Sequence, residues 1–284
     1  MNSNFVVASD IGGTHITSAV VDINTWQILE DTVSRSHVNS RSDAKSILLS
    51  WSSSIASAIE RCNATVSRLG IAMPGPFDYE NGISLMKNQD KYDALYKLNV
   101  CDGIMHSLEM EKDIRFINDA AAFLQGEIFA GNLQQKAKIL GITLGTGLGS
   151  AVWSQGEKAF DADLWNTPYK ESIFEEYLVT RWFTRRFEEL TGEREEGFKD
   201  ILTKHAHTAA FDQLMTEYTI SLHDFLRYFS DKHASNTFIL GGNITNAWDT
   251  IKSYNADKLS QFEIYTGQYA EKAAIIGAAS LFTL

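Results

Sequence analysis

The sequence predicts a mixed α/β protein built from two related halves, and three observations support this fold class. Apolar runs of strand length alternate with longer segments of helical periodicity throughout the 284 residues. Three of these apolar runs lead directly into turns rich in glycine, at Asp10, Gly145 and Gly241. The first two turns are each followed by another strand-like run, so each predicts a β-hairpin. One such hairpin in each half of the chain indicates an internal duplication.

The glycine turns are candidate phosphate sites. Glycine lacks a Cβ, so it exposes backbone N–H donors to a ligand, and phosphate is the usual ligand of such turns. A single turn of this kind more often only reverses the chain. The first turn, Asp10 to Thr14, is more informative because its acid would hold a hydrated Mg²⁺ while Gly12, Gly13 and Thr14 face the phosphates. Because a strand follows it, this turn is not a Rossmann turn, which would open a helix. We therefore expect nucleotide between the two halves.

Composition excludes several classes of protein. The net charge of −11 argues against a nucleic-acid surface, which needs concentrated Lys and Arg. No apolar run approaches the roughly 20 residues of a membrane span, and the N-terminus lacks the pattern of a signal peptide. Cys62 and Cys101 are the only cysteines, which is no disulfide framework and fits a reducing compartment. We expect a cytoplasmic protein that binds neither nucleic acid nor membranes.

Periodicity and turn residues predict the order of the elements between the motifs. Short apolar runs predict strands over 69–73, 114–117 and 238–240, and a β-hairpin over 77–86. Helical spacing predicts helices over 42–62, 171–190, 211–229 and 269–281, and another helix that begins directly after Asn118-Asp119. The first helix would be capped by Ser42 or Asp43, and Gly192 would stop the second. A polar pair between a strand and a helix is a common place for chemistry in α/β folds.

Taken in order, the motifs resemble those of the ROK family of sugar kinases, within the actin-like ATPase superfamily. The resemblance covers nearly the whole chain and rests on the following segments: Asp10–Thr14, Gly70–Pro76 with Asp78 and Gly82, Asn118–Ala120 with Gly126-Glu127, Gly145–Gly149, Leu240–Gly242 and Gly277–Ala279. It implies a two-lobed α/β fold, ribonuclease H-like, with a ligand cleft between the lobes. On this basis we expect an N-terminal lobe over 1–118 on the sugar side and a C-terminal lobe over 119–268 on the nucleotide side. Helix 269–284 would pack back on the first lobe.

The resemblance also implies roles for individual residues. Asp119 would be the general base that takes a proton from a sugar hydroxyl, and Asn118 and Gly75 would contact the sugar. Asn88 stands where the family often has a sugar-facing Asn after a Pro, although Lys87 replaces that Pro here. The nucleotide would be bound by residues of the three turns: Asp10, Gly12, Gly13, Thr14, Gly145, Thr146, Gly147, Gly241, Gly242 and Asn243. Asp10 would also hold Mg²⁺ through water.

One region departs from the family pattern. The family usually has a Glu-x-Gly-His segment, then a zinc loop rich in cysteine, then a Leu-Glu-Ala-Tyr segment. Here Asp163 replaces the Glu and Asn166 replaces the His, so these two residues are candidate sugar ligands. Phe174–Tyr177 resembles the last segment, which makes Glu175 another candidate. Neither cysteine is near, so we expect no structural zinc. We expect packing of Trp165, Pro168 and Tyr169 against the Phe174–Trp182 helix to brace this segment instead.

The leading hypothesis is therefore an ATP- and Mg²⁺-dependent hexokinase of the glucokinase type, and the family's habit implies a homodimer. The sugar remains open among glucose, fructose, mannose, allose, N-acetylmannosamine and N-acetylglucosamine. One alternative is a non-catalytic sugar sensor that acts through a protein partner. Another is an actin-like ATPase without a sugar, which Asn118-Asp119 and the Pro-Gly-Pro turn disfavour.

Overall fold

A computed structural model describes residues 4–108 and 113–283, and these residues form two units. The first unit takes its described residues from 1–136, 154–160 and 271–284. The second unit consists of 137–153 and 161–270. Within the described ranges, no helix is long and apolar enough to cross a membrane.

The first unit opens with a glycine hairpin and ends with the last helix of the chain. Its strands are β1 (Phe5–Ile11), β2 (His15–Asp22), β3 (Gln27–Ile28), β4 (Ser34–His37), β5 (Arg68–Met73), β6 (Phe77–Asp78), β7 (Ile83–Ser84) and β8 (Asp113–Asn118). Its helices before the second unit are α1 (Ala44–Glu60), α2 (Val100–Leu108) and α3 (Asp119–Ala130), with short 3-10 turns at Glu30–Thr32 and Asp93–Leu95.

The central sheet of this unit brings two acidic residues to the same edge. Its strand order is β3-β2-β1-β5-β8, and β4 pairs with β2. β1, β5 and β8 run parallel to one another, and Met73 pairs with Asn118. Because the carboxyl ends of parallel strands meet at one edge of the sheet, Asp10 and Asp119 both lie there. The predicted Asp43 cap of α1 is present, since the Asp43 side chain accepts a hydrogen bond from the N–H of Ser46.

The second unit repeats the arrangement of a glycine hairpin in a sheet. Its strands are β9 (Lys138–Leu144), β10 (Leu148–Ser154), β11 (Phe160–Asp161), β12 (Pro168–Tyr169), β13 (Ser172–Ile173), β14 (Thr237–Gly241) and β15 (Glu263–Thr266). Its helices are α4 (Glu175–Leu178), α5 (Thr180–Thr191), α6 (Phe198–His205), α7 (Ala209–His233), α8 (Trp248–Ser253) and α9 (Ala256–Leu259), with a 3-10 turn at Asn243–Ala247.

The sheet of the second unit has the strand order β11-β10-β9-β14-β15. β14 runs parallel to β9, and Gly241 pairs with Thr143. This register brings the turn after β9 and the turn after β14 to the same sheet edge. A core of aromatic side chains lies beneath the sheet, including Phe183, Phe225 and Phe229, each fully buried.

The last helix, α10 (Glu271–Ser280), belongs to the first unit, where it packs on α3, β1 and β5. Two glycines permit the approach of α10 to α3. A Cβ on Gly126 would lie 1.8 Å from the carbonyl oxygen of Ala273, and one on Gly277 would lie 1.9 Å from that of Ala122. This close contact keeps α3 in the first unit, whose opening segment therefore runs past residue 118, through Lys136.

The structure corrects one predicted helix. Periodicity predicts a single helix over 171–190, but the segment contains β13, the one-turn helix α4 and then α5. The break lies at Val179, which has extended backbone angles. The N–H of Thr180 donates to the carbonyl oxygen of Gly145 instead of to a carbonyl within the helix. The predicted stop at Gly192 is present, with a φ of 78°.

Candidate active site

The first glycine turn leaves two backbone N–H donors free, and two of its carbonyl oxygens accept hydrogen bonds within the protein. The N–H of Gly12 donates to the carbonyl oxygen of His15, and the carbonyl oxygen of Thr14 accepts from the N–H of Val38. The carbonyl oxygen of Gly12 accepts from the Tyr92 hydroxyl. Among the described residues, none accepts from the N–H groups of Gly13 and Thr14. Adjacent free N–H donors of this kind favour an anion.

In the second glycine turn, which lies in the other unit, the carbonyl oxygens of Gly145, Thr146 and Gly147 all accept hydrogen bonds. The carbonyl oxygen of Gly145 accepts from the N–H and the hydroxyl of Thr180, at 2.8 and 2.9 Å. That of Thr146 accepts from the guanidinium of Arg181 at 3.1 Å. That of Gly147 accepts from the N–H of Gly145 at 3.2 Å. Within the described ranges, the N–H groups of Thr146 and Gly147 have no acceptor, so they are left for a ligand.

Asn118 and Asp119 have different roles at the start of α3. The Asn118 side chain caps the helix, because its oxygen accepts from the N–H groups of Ala120 and Ala121 at 2.9 and 3.1 Å. Its amide donates to the Tyr79 hydroxyl. Asp119 is exposed, and its Oδ1 accepts from the N–H of Ala120 at 2.8 Å. In the described part of the chain, nothing donates a hydrogen bond to Asp119 Oδ2, so this oxygen is available to accept a proton.

Negative charge accumulates at this sheet edge. Burial, the charge of Asp119 and the charge of Glu271 raise the pKa of Asp10 to about 7, and only Arg35 opposes them. The pKa of Asp119 is also raised, because surrounding protein atoms displace water although the residue stays accessible at the surface. Its bond to the N–H of Ala120 and the charge of Lys91 work in the opposite direction. A bound cation would relieve this repulsion, so the residues fit a divalent metal beside Asp10.

Glu175 contacts the second turn with both carboxylate oxygens. Oε2 accepts from the N–H of Leu148 at 2.9 Å, and Oε1 accepts from the Arg181 guanidinium at 2.7 Å. Arg181 also donates to Glu176. Glu175 therefore links the turn to the first residues of α5, which begins with the pair Thr180 and Arg181.

The remaining predicted residues lie at several places in the two units. Gly75 precedes Pro76 in a cis peptide bond at the end of β5, and the exposed Asn88 has a left-handed φ of 58°. Asp163 accepts from the indole N–H of Trp165, and Asn166 is exposed. Gly241 ends β14, Gly242 follows it, and Asn243 begins the next 3-10 turn. A Cβ on Gly242, whose φ is 90°, would lie 2.2 Å from the carbonyl oxygen of Leu144.

The described residues contain no group of three or more His, Cys, Asp or Glu side chains placed to hold a metal ion. The predicted packing of this segment has one clear component, which is Tyr169. Its ring stacks on Phe174 at 4.3 Å and meets the edge of Tyr177 at 5.3 Å. Trp165, by contrast, is 42% exposed.

Sequence reasoning missed four residues that contact the glycine turns. Tyr92 and His15 contact the first turn. The Tyr92 hydroxyl donates to the carbonyl oxygen of Gly12, and the ring Nδ1 of His15 lies 2.9 Å from the hydroxyl oxygen of Thr14. Thr180 and Arg181 contact the second turn. Tyr92 and the second pair lie far from their turns along the chain and had no motif to mark them. His15 directly follows Thr14, and only the side-chain geometry reveals its contact.

Comparisons with known proteins define the class. A sequence model of the ROK family matches residues 6–160, more than half of the chain, and the protein belongs to this family. Its mixed α/β fold is that of the ROK sugar kinases, which is the actin-like ATPase fold.

Three individual proteins show the range of relatives. The chain is 25% identical to the beta-glucoside kinase of Listeria monocytogenes over 98% of its own length and 97% of that protein. The ROK family glucokinase from Streptomyces griseus, solved with glucose and AMPPNP, superimposes with a TM-score of 0.71, 20% identity and 98% coverage of both chains. A ROK family transcriptional regulator, a homologue of the E. coli MLC protein, gives a TM-score of 0.75 at 14% identity, covering 98% of this chain and 78% of the regulator.

Proposed function

We propose that this protein transfers the γ-phosphoryl group of ATP to a hydroxyl of a hexose or hexoside, with Asp119 as the general base. The observation that carries the proposal is the free Oδ2 of Asp119. Asn118 caps α3 in place of Asp119, so the Asp119 carboxylate needs only one oxygen for its own anchoring. The other oxygen is available to a sugar hydroxyl, and proton removal by a positioned carboxylate is worth about 10²–10⁴ in rate.

The two glycine turns support a nucleotide as the second substrate. Each offers two free N–H donors, which suits phosphate oxygens. Asp10 would hold Mg²⁺ through water, and this ion supplies charge neutralisation for the phosphates. The full-length similarity to a beta-glucoside kinase supports a glucose-type acceptor, free or as a glycoside.

The test is release of ADP in a coupled assay, with ATP and Mg²⁺ and a panel of acceptors. The panel contains glucose, mannose, fructose, allose, the two N-acetylhexosamines and a β-glucoside such as cellobiose. We expect turnover with at least one acceptor. Asp119→Asn should lower it by about 10² or more, while calorimetry shows unchanged sugar binding. Asp113→Asn, on the exposed start of β8, is the matched control and should retain wild-type turnover.

A sugar sensor without catalysis is the alternative, and the fold similarity to a transcriptional regulator gives it a basis. The two proposals differ in one result. A sensor would bind a sugar in calorimetry and release no ADP above the background hydrolysis with any acceptor of the panel.

An Asp119→Asn variant that keeps a tenth of wild-type turnover would contradict the assignment of the base.

A further inference from the structure

We propose that the hydroxyl group of Tyr79 is a positioning group, which holds the side-chain amide of Asn118 in place for contact with the acceptor sugar. This inference deepens the proposed kinase function and rests on it, because it takes Asn118 as a residue that binds the sugar. Tyr79 is not among the site residues that the family resemblance implies.

The ends of β5 and β8 are the first argument. Met73 and Asn118 form the last pair of this parallel ladder, so backbone pairing stops there. The Tyr79 hydroxyl donates to the carbonyl oxygen of Met73 at 3.1 Å and accepts from the side-chain amide of Asn118 at 3.3 Å. One hydroxyl therefore connects the two strand ends at the junction from which α3 begins.

The orientation of Asn118 is the second argument. Its side-chain oxygen accepts from the N–H groups of Ala120 and Ala121, so the amide nitrogen is the end that meets Tyr79. A primary amide carries two N–H donors, and Tyr79 accepts from one of them. In the described part of the chain, no acceptor takes the second donor, although Asn118 is only 7% exposed. This second donor is available to a sugar hydroxyl.

Tyr79 is itself held in place, as a positioning group must be. The Asp78 carboxylate accepts from the N–H groups of Glu80 and Asn81 at 3.2 and 3.0 Å, which fixes the turn that carries Tyr79. The Tyr79 ring packs on that of Phe77, with ring centroids 5.3 Å apart. The hydroxyl therefore has a defined position from which to hold Asn118.

Gly75 is the third argument, because the resemblance implies that it also contacts the sugar. A Cβ on Gly75 would lie 3.3 Å from the hydroxyl oxygen of Tyr79, which is closer than an ordinary van der Waals contact. The same hydroxyl thus lies beside both Gly75 and Asn118. This convergence favours a role in sugar binding over a role in stability alone.

The experiment compares sugar and nucleotide affinities in variants of the full chain. Tyr79→Phe keeps the ring against Phe77 and removes only the hydroxyl. Binding is measured by calorimetry with each sugar of the acceptor panel, and we expect the tightest to bind about fivefold to tenfold more weakly, as for the loss of one hydrogen bond. The affinity for Mg²⁺-ADP should stay within about twofold of wild type, because Met73 and Asn118 lie outside the glycine turns.

Steady-state kinetics give a second measurement. The KM for sugar should rise by the same factor as the dissociation constant. The kcat should change by less than about threefold, because Asp119 has its own anchor on the N–H of Ala120. A general loss of structure would lower kcat and both affinities together.

Two further variants test whether Tyr79 acts through Asn118. Serine caps a helix about as well as asparagine but carries no amide. In an Asn118→Ser background, Tyr79→Phe should therefore change sugar affinity by less than about twofold. Tyr96→Phe is the matched control: it removes a hydroxyl from another half-buried tyrosine of the first unit, whose ring lies near Lys87 and Lys97, and should leave both affinities unchanged.

Three results would overturn the proposal. Equal sugar affinities in Tyr79→Phe and Tyr96→Phe would show that the hydroxyl has no role in sugar binding. Additive losses in the double variant would show that Tyr79 acts independently of Asn118. Equal losses of sugar and Mg²⁺-ADP affinity in Tyr79→Phe would indicate a structural role only. Calorimetry needs no turnover, so a wild-type protein that binds sugar without releasing ADP would refute the proposed kinase function and leave this comparison intact.

Discussion

The hydroxyl of Tyr92 donates a hydrogen bond of 2.5 Å to the carbonyl oxygen of Gly12, across 80 residues of sequence. Tyr92 is fully buried, and its ring meets that of Trp51 edge-on at 5.1 Å. Its own N–H donates to the carbonyl oxygen of Ser40, so the side chain is fixed at both ends. The bond occupies a carbonyl oxygen of the turn that we propose as a phosphate site. Tyr92 thus has the same effect on the first glycine turn as Arg181 has on the second.

The first prediction follows from this bond. Tyr92→Phe removes only the hydroxyl and leaves the Gly12 carbonyl without its donor, which costs about 1 kcal/mol for one hydrogen bond. We expect a KM for ATP raised about fivefold to tenfold and a free energy of unfolding lowered by about 1 kcal/mol. Tyr96→Phe is the matched control, because the Tyr96 ring lies near Lys87 and Lys97 and away from the turn. Equal ATP kinetics in the two variants would exclude a role for the Tyr92 hydroxyl.

Local sequence was enough to predict the hairpins and the start of α3. Apolar runs and glycines identify β1 and β2, and a polar pair after an apolar run identifies the junction at Asn118. It could not predict which of the pair caps the helix, since Asn and Asp are equally good caps. Only the side-chain geometry shows that Asn118 takes this role and leaves Asp119 Oδ2 free.

The break at Val179 and the extent of the first unit depend on contacts between distant segments. Residues 171–190 have helical periodicity, yet Thr180 binds the carbonyl of Gly145, 35 residues away. Periodicity reports which side of a segment is apolar and does not report such a competing acceptor. In the same way, α3 joins the first unit because Gly126 and Gly277 let α10 approach it, and this pairing spans the whole second half of the chain.

The contact between α3 and α10 gives the second prediction. Gly277→Ala would place a methyl group about 2 Å from a backbone carbonyl of α3, which cannot move aside as a flexible side chain would. We expect the free energy of unfolding to fall by about 3 kcal/mol or more, measured by urea denaturation. Gly103→Ala is the matched control, since its Cβ would meet only the flexible side chain of Leu48. If Gly277→Ala were as stable as Gly103→Ala, the close packing of the two helices would be wrong.

Asp10 gives a prediction about pH. Its pKa rises from 3.8 in the unfolded chain to about 7 in the folded protein. Between these values the folded protein holds a proton that the unfolded chain has released, so its contribution to stability decreases as pH rises from about 4 to about 7. Asp10→Asn removes the buried charge. We expect the variant to gain stability over wild type on the order of 1 kcal/mol at pH 8, after allowance for solvent screening, and to match it near pH 4.

The measurement is urea denaturation of both proteins at pH 4.5, 6 and 8, without nucleotide or metal. Asp119 has a pKa raised in the same direction, so Asp10→Asn should reduce the dependence on pH rather than abolish it. A variant less stable than wild type at pH 8 would show that the Asp10 carboxylate is favourably paired in the folded protein, against the repulsion from Asp119 and Glu271.

The last prediction concerns zinc. The segment that departs from the family pattern, 163–175, is stabilised by ring packing, because Tyr169 stacks on Phe174 and its hydroxyl donates to Asp224 at 2.8 Å. Loss of a packed ring costs about 3 kcal/mol, so Tyr169→Ala should lower the free energy of unfolding by this order and weaken activity.

Elemental analysis of protein purified without a metal-affinity tag should find less than stoichiometric zinc. Activity should require Mg²⁺ and survive a zinc-selective chelator. Stoichiometric zinc, together with a Tyr169→Ala variant as stable as wild type, would mean that a metal and not this packing holds the segment, and the assignments of Asp163 and Asn166 would have to be made again.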